Sequence, residues 1–449
     1  MSVIPYRTRI SYAAPDIGGQ LIFCVISNYL LYFYTDVYGI GVGVAGTILL
    51  VARCIDGVDA PVWGVILDKT NSRWGRSRPW FLWLCFPYAI FGVLTFLTPA
   101  LSTQAKALYA AGTYIVCGIL YTGINTPVTS ILSALTPNPA DRVMLTTYRM
   151  IGSKLGVVIV NASALPLVAW LGHGDDKKGF MLTMPIYAAG SIAMFLLAFR
   201  NLEEVAETHR KPLPILGAFG AIRGNWPWVI IFISSLCFWI AFISRVSTVI
   251  YFFTYTLHRK DLVPLVNSLD IVSLAGVVFL SWFCRFTSKR NLWALGLAGS
   301  IAGQLMMYAA QASIPLVLAA WIFATIAGGI AMALPFSLLS DSVDYGEWKT
   351  GIRAAGLLTA VGAAFCLKAG SGIGGAIPAW VMSAHGYVPN AAQTARSLTG
   401  IEIGFIWLPA GFFALALAPV LFYQKYESME PRIHADLEER RRKEPCPQS

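Results

Sequence analysis

GTILLVARCIDGVDAPVWGVILDKTNSRWGRSRPW, residues 46–80, decides the fold class. It begins with an apolar run long enough for a helix to cross a bilayer, which takes about 20 residues. It ends in a polar turn carrying Lys69, Arg73, Arg76 and Arg78 before apolar sequence resumes at Pro79. The same alternation runs along the chain. Apolar segments fall at 10–37, 42–67, 79–100, 105–133, 144–171 and 179–199, and again at 227–256, 262–285, 291–311, 313–340, 354–384 and 400–423. The sequence is 56% hydrophobic and only 12% charged, against about 25% charge in soluble domains. It lacks the charge to cover two or three soluble domains of this total length. The expected fold class is an all-α polytopic membrane protein with twelve transmembrane helices. Arg7 and Arg9 lead straight into the first segment with no small-residue cleavage pattern, so that helix is expected to be its own insertion signal.

The connections set the orientation. With the N-terminus inside, cytoplasmic segments hold 22 Lys and Arg residues against six on the opposite side. That asymmetry predicts a multi-pass protein of the inner (cytoplasmic) membrane with both termini in the cytoplasm. The net charge of +10 is thereby a topology signal and a contact with anionic headgroups, not a nucleic-acid patch. The longest internal loop divides the chain into a six-helix bundle over 1–199, a cytoplasmic loop over 200–226, a second six-helix bundle over 227–423, and a cytoplasmic tail over 424–449. ILSALTPNPADRVMLTTYR (131–149) and LLSDSVDYGEWKTGIR (338–353) echo one another after the fourth and tenth segments. Related halves of this kind predict two bundles with a substrate site between them near the midplane.

Ionisable residues inside apolar segments carry the functional signal. Arg53, Arg149, Lys154, Arg245 and Lys368 are basic; Asp16, Asp56, Asp59 and Asp270 are acidic. Each costs roughly 3 kcal/mol at a helix centre if unpaired, so these groups must pair, line water, or both. Arg53, Asp56 and Asp59 climb one face of the second helix at spacing three. Two carboxylates against one guanidinium make either an ion-pair ladder or a cation or proton site, since crowding raises one carboxylate pKa and oxygen ligands suit a hard cation. None of the five histidines lies in a segment, so a proton relay here runs on carboxylates. Arg245 and Asp270 either neutralise each other or leave Arg245 for substrate. Lys154 and Lys368 have no acid at helical spacing in their own helices and need a partner elsewhere or an anionic ligand. Gln20, Asn28, Tyr29 and Tyr32 in the first segment, with Tyr121, Thr122 and Asn125 in the fourth, supply the amides and flat rings that hydroxyl-rich ligands need. They also suit interhelical hydrogen bonding.

YLLYFYTDVYGI (29–40), GTILLVARCIDGVDAPVWG (46–64), LDKTNSRWGRSRPW (67–80) and SDSVDYGEWKTGIR (340–353) resemble the glycoside–pentoside–hexuronide:cation symporters. These are a branch of the major facilitator superfamily that includes the melibiose carrier. The resemblance covers nearly the whole chain. It implies twelve helices in two bundles, alternating access, and cotransport of a sugar with H⁺, Na⁺ or Li⁺. Carried over by position, Asp56 matches a cation-site acid and Thr122 a cation-site hydroxyl. Arg149 and Lys368 match basic residues at the sugar and cation sites. The melibiose carrier's second acid falls here on Ala60, with Asp59 one residue earlier and about 100° away on the helix, which favours H⁺ over Na⁺. The two acids that hold galactoside there correspond here to Gln20 and Asn125. Losing two negative charges while keeping Arg149 and adding Lys154 and Arg245 points to an acidic sugar, a hexuronide or sulfo-sugar, held by charge-assisted contacts. Amides hold hydroxyls well, so a neutral glycoside stays open.

The expected cycle loads a proton or cation at Asp56 and Asp59, with Thr122 and Lys368 completing the coupling site. Sugar is then held by Gln20, Tyr29, Tyr121, Asn125, Arg149, Lys154 and Arg245. Asp68, Arg73, Arg76, Asp344, Glu347 and Arg353 are candidate gate residues. No catalytic constellation, zinc motif or phosphate-binding G-x-x-x-x-G-K-[ST] loop occurs, so neither an enzyme, a metal cofactor nor an ATP-driven pump is expected. The expected partners are a small-molecule sugar and the bilayer. A drug/proton antiporter of the same fold is the main alternative; the surplus basic residues argue against it.

Overall fold

The structure is a computed structural model and describes residues 5–136, 139–204, 224–283, 286–311, 313–351, 358 and 360–443. Among these it is helical with no strand. The first half contributes α1 (Tyr6–Tyr32, continued by a π-helical turn Phe33–Val37), α2 (Val42–Lys69), α3 (Arg78–Leu94), α4 (Thr103–Leu135), α5 (Pro139–Gly172) and α6 (Asp176–Asn201). Then come α7 (Trp226–Tyr251, continued by Phe252–Thr256), α8 (Val263–Ser268), α9 (Ser273–Phe283), α10 (Lys289–Ala309), α11 (Ile314–Thr350), α12 (Cys366–Ala384), α13 (Ala395–Glu402), α14 (Leu408–Phe422) and α15 (Gln424–Lys443). Eight helical stretches among the described residues are long and apolar enough to cross a membrane. α2 falls outside that set despite its 28 residues, because Arg53, Asp56 and Asp59 interrupt it.

Local sequence explains the boundaries. Ser102, Asp175, Ser288 and Thr394 cap the starts of α4, α6, α10 and α13 with side-chain oxygens, satisfying amides that a helix start leaves open. Prolines open α3, α11 and α14, where the missing N–H costs nothing. Gly351 ends α11 at φ 73°, a left-handed position that suits glycine.

The chain forms two compact units. The first comprises Met1–Arg210 with Val246–Ile271 and Gly375–Phe405. Inside it α1 packs against α5 and α6, α2 against α4, and α3 against α4 and α6. The second comprises Lys211–Arg245, Val272–Gly374 and Ile406–Ser449. Its core gathers Trp228, Trp293, Leu297, Leu334, Leu338 and Phe413. The tail helix α15 docks there: Trp348 Nε1 donates to Asp436 at 2.8 Å, and the Tyr426 hydroxyl donates to the Asp341 carbonyl at 2.8 Å.

The segment at 262–285, expected as one continuous helix, is broken. Short 3-10 turns at Lys260–Leu262 and Leu269–Val272 flank α8. The break sits at a contact with other helices: Asn161 on α5 donates its amide to the Asn267 carbonyl at 2.8 Å, and Asn267 in turn donates to the Tyr29 hydroxyl at 3.0 Å.

Candidate functional site

Two turns of α1 face two turns of α5. Asp16 and Gln20 are one helical turn apart, as are Arg149 and Ser153, so each pair shares a face. Gln20 Nε2 donates to Ser153 Oγ at 3.2 Å, and Arg149 Nε donates to Asp16 Oδ2 at 2.8 Å. Close helix approach makes this possible. A Cβ on Gly152 would sit 2.7 Å from the Ala13 carbonyl oxygen, and one on Gly156 would sit 2.8 Å from Gln20 Cβ. The remaining Arg149 nitrogens reach α4: one η nitrogen donates to Thr129 Oγ1 at 3.1 Å, the other to Asn125 Oδ1 at 3.2 Å. A small cavity opens beside this group, walled by Pro15, Asp16, Gly19, Tyr121 and Asn125. Tyr121, part of the cavity wall, stacks on Phe23 with ring centroids 4.5 Å apart.

Four sequence-expected sugar ligands, Gln20, Tyr121, Asn125 and Arg149, therefore converge. The others lie elsewhere. Tyr29 is fully buried and engaged by Asn267. It belongs to a polar ladder in which Asn28 Nδ2 also donates to Asn161 Oδ1 at 2.6 Å. Lys154 finds its partner in the broken segment: Nζ lies 3.2 Å from Asp270 Oδ2, with both side chains about a third exposed. Asp270 is thus joined to Lys154 instead of the Arg245 that the sequence offered. Arg245, in the second unit, is buried, donates to Thr325 Oγ1 at 2.8 Å, and lies 3.8 Å over the Trp321 ring.

The coupling candidates sit on α2. Asp56 and Asp59 are both buried. Arg53 Nη1 donates to Asp56 Oδ2 at 3.0 Å and lies over the Phe23 and Tyr114 rings. Gly118 on α4 leaves room for the carboxylate; a Cβ there would stand 2.7 Å from Asp56 Oδ1. Thr122, one turn on from Gly118, is half-buried, and its carbonyl accepts from Thr126. Lys368 is half-buried on α12 within the second unit.

Of the gate candidates, Arg73 lies 4.4 Å over the Trp74 ring. Arg76 contributes its backbone N–H to Glu204. Asp344 and Glu347 are half-buried near the end of α11. The Asp68 side chain and Arg353 lie outside the described residues. Sequence reasoning missed Glu204, whose carboxylate accepts from the backbone amides of Arg76, Ser77 and Arg78 at 2.7–3.0 Å. It fits against Gly75, which turns at φ 102°. Sequence reasoning also left Asp16 without a role; its spacing of four from Gln20 was the available signal.

A second polar cluster closes the far end of α1. The Asp36 carboxylate is 7% exposed and accepts from the hydroxyls of Thr35, Tyr255 and Tyr387. Asn390 donates its side-chain amide to the Asp36 carbonyl. Beside it, Lys260 Nζ lies 2.7 Å from Asp176 Oδ2, and Tyr32 donates to the same oxygen.

A fold that is helical among its described residues, with long apolar helices and a cluster of amides, rings and paired charges, points to a membrane transport protein, and the comparisons agree. The family model for MFS/sugar transport protein matches residues 11–425, and the chain belongs to that family. It is 39% identical over 449 residues to the isoprimeverose transporter of Lactiplantibacillus pentosus, covering 99% of this chain and 93% of that protein. The glucuronide carrier protein homolog of Escherichia coli is 28% identical, over 98% and 97% of the two chains. Among solved structures, a bacterial homolog of the human lysosomal transporter Spinster superposes with a TM-score of 0.71 at 13% identity, covering 96% of this chain and 99% of that one. The similarity in fold extends to the major facilitator transporters, as the sequence resemblance implied.

Proposed function

We propose that the protein is a secondary active symporter carrying a neutral, pentose-containing glycoside into the cell together with a proton, by alternating access in the inner membrane. The observation that carries the substrate class is the state of Arg149. Its three nitrogens are engaged by Asp16, Thr129 and Asn125, and Lys154 is held by Asp270. Two of the basic groups counted from the sequence as surplus positive charge, Arg149 and Lys154, thus each face an acid of their own unit. What faces the cavity is a set of amide, hydroxyl and carboxylate groups suited to sugar hydroxyls, with Tyr121 offering a ring to the C–H face. The 39% identity to a transporter named for isoprimeverose, an uncharged disaccharide of xylose and glucose, supports the neutral reading over the hexuronide or sulfo-sugar.

Coupling is assigned to α2. A proton taken up by Asp56 removes the charge that holds Arg53, and the freed guanidinium changes what the neighbouring rings and α4 meet. Buried Asp59 is the second proton-accepting group. On this reading both termini are cytoplasmic, and the cluster around Asp36 lies on the external side. Binding of proton and sugar is reciprocal: each tightens the other by the same factor.

The test is uptake and counterflow in proteoliposomes with isoprimeverose, a methyl xyloside and a methyl glucuronide, with and without Na⁺ and with an imposed proton gradient. The expected result is accumulation of the neutral sugars that follows the proton gradient and ignores Na⁺. Accumulation that requires Na⁺, or a preference for the glucuronide, contradicts the proposal.

A further inference from the structure

We infer that Asp16 is a specificity-determining residue of the sugar site, one that both reads a sugar hydroxyl and keeps acidic sugars out. The inference rests on the glycoside reading above and deepens it. The Asp16 side chain is only 12% exposed, and its Oδ2 accepts from Arg149 Nε at 2.8 Å. Oδ1 has no hydrogen-bond partner among the described residues, and the residue forms part of the cavity wall together with Tyr121 and Asn125. A carboxylate oxygen with open lone pairs at a cavity wall is an acceptor for a hydroxyl. It is also a fixed negative charge beside any ligand carboxylate, and like charges at such range are costly in a partly buried site.

The position gives this a physical logic. Asp16 stands one turn before Gln20 on the same face of α1. Asp16 and Gln20 then meet Arg149 and Ser153 as successive rungs. The guanidinium of Arg149 is the counter-ion of Asp16. Arg149 donates to Asp16, Asn125 and Thr129, so it presents little uncompensated charge while Asp16 is ionised. Remove the Asp16 charge, and the same fork becomes a receptor for a carboxylate.

The experiment is sugar counterflow in proteoliposomes without any ion gradient, so that the coupling step does not enter. The probes are isoprimeverose and methyl glucuronide; the proteins are wild type, Asp16→Asn and Asp16→Glu. Asp16→Asn is expected to weaken isoprimeverose exchange about tenfold or more, the cost of losing a hydrogen bond to a charged group, and to gain exchange of methyl glucuronide. Asp16→Glu should keep the neutral preference. Unchanged isoprimeverose exchange in Asp16→Asn overturns the inference, and so does loss of isoprimeverose with no gain of glucuronide in protein that still melts cooperatively. Should the single variant fail to fold because it strands Arg149, Asp16→Asn with Arg149→Gln removes both charges. That double variant should lose isoprimeverose and gain nothing, and wild-type exchange in it overturns the inference equally. A wild-type protein that exchanges neither probe contradicts the glycoside reading itself and the Asp16 assignment with it. Wild-type exchange alongside an indifferent Asp16→Asn contradicts Asp16 alone.

Discussion

Single ionisable residues were the most informative signal in this sequence, and the partners of those residues were the least legible. The cost of a bare charge in hydrocarbon is enough to mark Asp16, Arg149, Lys154 and Asp270 as paired or wet. Which pairs with which is set by helix packing across 116 residues for Lys154 and Asp270 and 133 for Asp16 and Arg149, and no periodicity encodes that. The Arg53–Asp56 pair, at spacing three on one helix, was readable for the opposite reason. The Lys154–Asp270 assignment makes a prediction. Lys154→Ala strands a carboxylate that is about 30% exposed, so it should destabilise the protein by about 1–3 kcal/mol, between the values for exposed and fully buried pairs. Lys154→Ala with Asp270→Ala should be milder than the sum of the two single changes. Thermal melting of the purified set measures this, and strictly additive effects would mean that the pair contributes nothing.

At the scale of elements, the helices were legible and their irregularities were not. Apolar length and flanking charge fixed twelve segments, and each falls on helix over most of its described length. The break at 262–285 was hidden because the contacts made there, such as the Asn161 amide on the Asn267 carbonyl, come from other helices. Close contact of α1 with α5 was half legible: Gly152 and Gly156 bracket Ser153 in the sequence, but small residues in membrane helices are common. Gly152→Ala places a methyl 2.7 Å from a main-chain oxygen that cannot swing aside. It should cost about 1–3 kcal/mol of overpacking and raise the KM for sugar by shifting Asp16 and Gln20 off their partners. Parallel kinetics and melting check this, and an unchanged KM would show that the α1–α5 spacing does not position the site. At the other end of α1, Tyr387→Phe takes one donor from the buried Asp36 carboxylate and should cost about 1–3 kcal/mol. Much of that loss should vanish in an Asp36→Asn background, where no buried charge is left wanting a donor; a loss of equal size in both backgrounds would place the Tyr387 hydroxyl's role elsewhere.

At the scale of the whole molecule, fold and family were readable because composition, loop charge and four motif stretches point the same way. The charge balance around the candidate site was not, since the sequence counts basic residues without showing which acids face them. What joins the scales in the proposed function is a division of labour: one set of groups on α1, α4 and α5 to hold solute, and another on α2 to carry a proton. That division is tested by Asp56→Asn with Asp59→Asn in proteoliposomes, comparing proton-gradient-driven accumulation of isoprimeverose with its gradient-free exchange in the same preparation. Accumulation should fall to the equilibrium level while exchange persists. Full uphill accumulation by the doubly neutralised protein would contradict it.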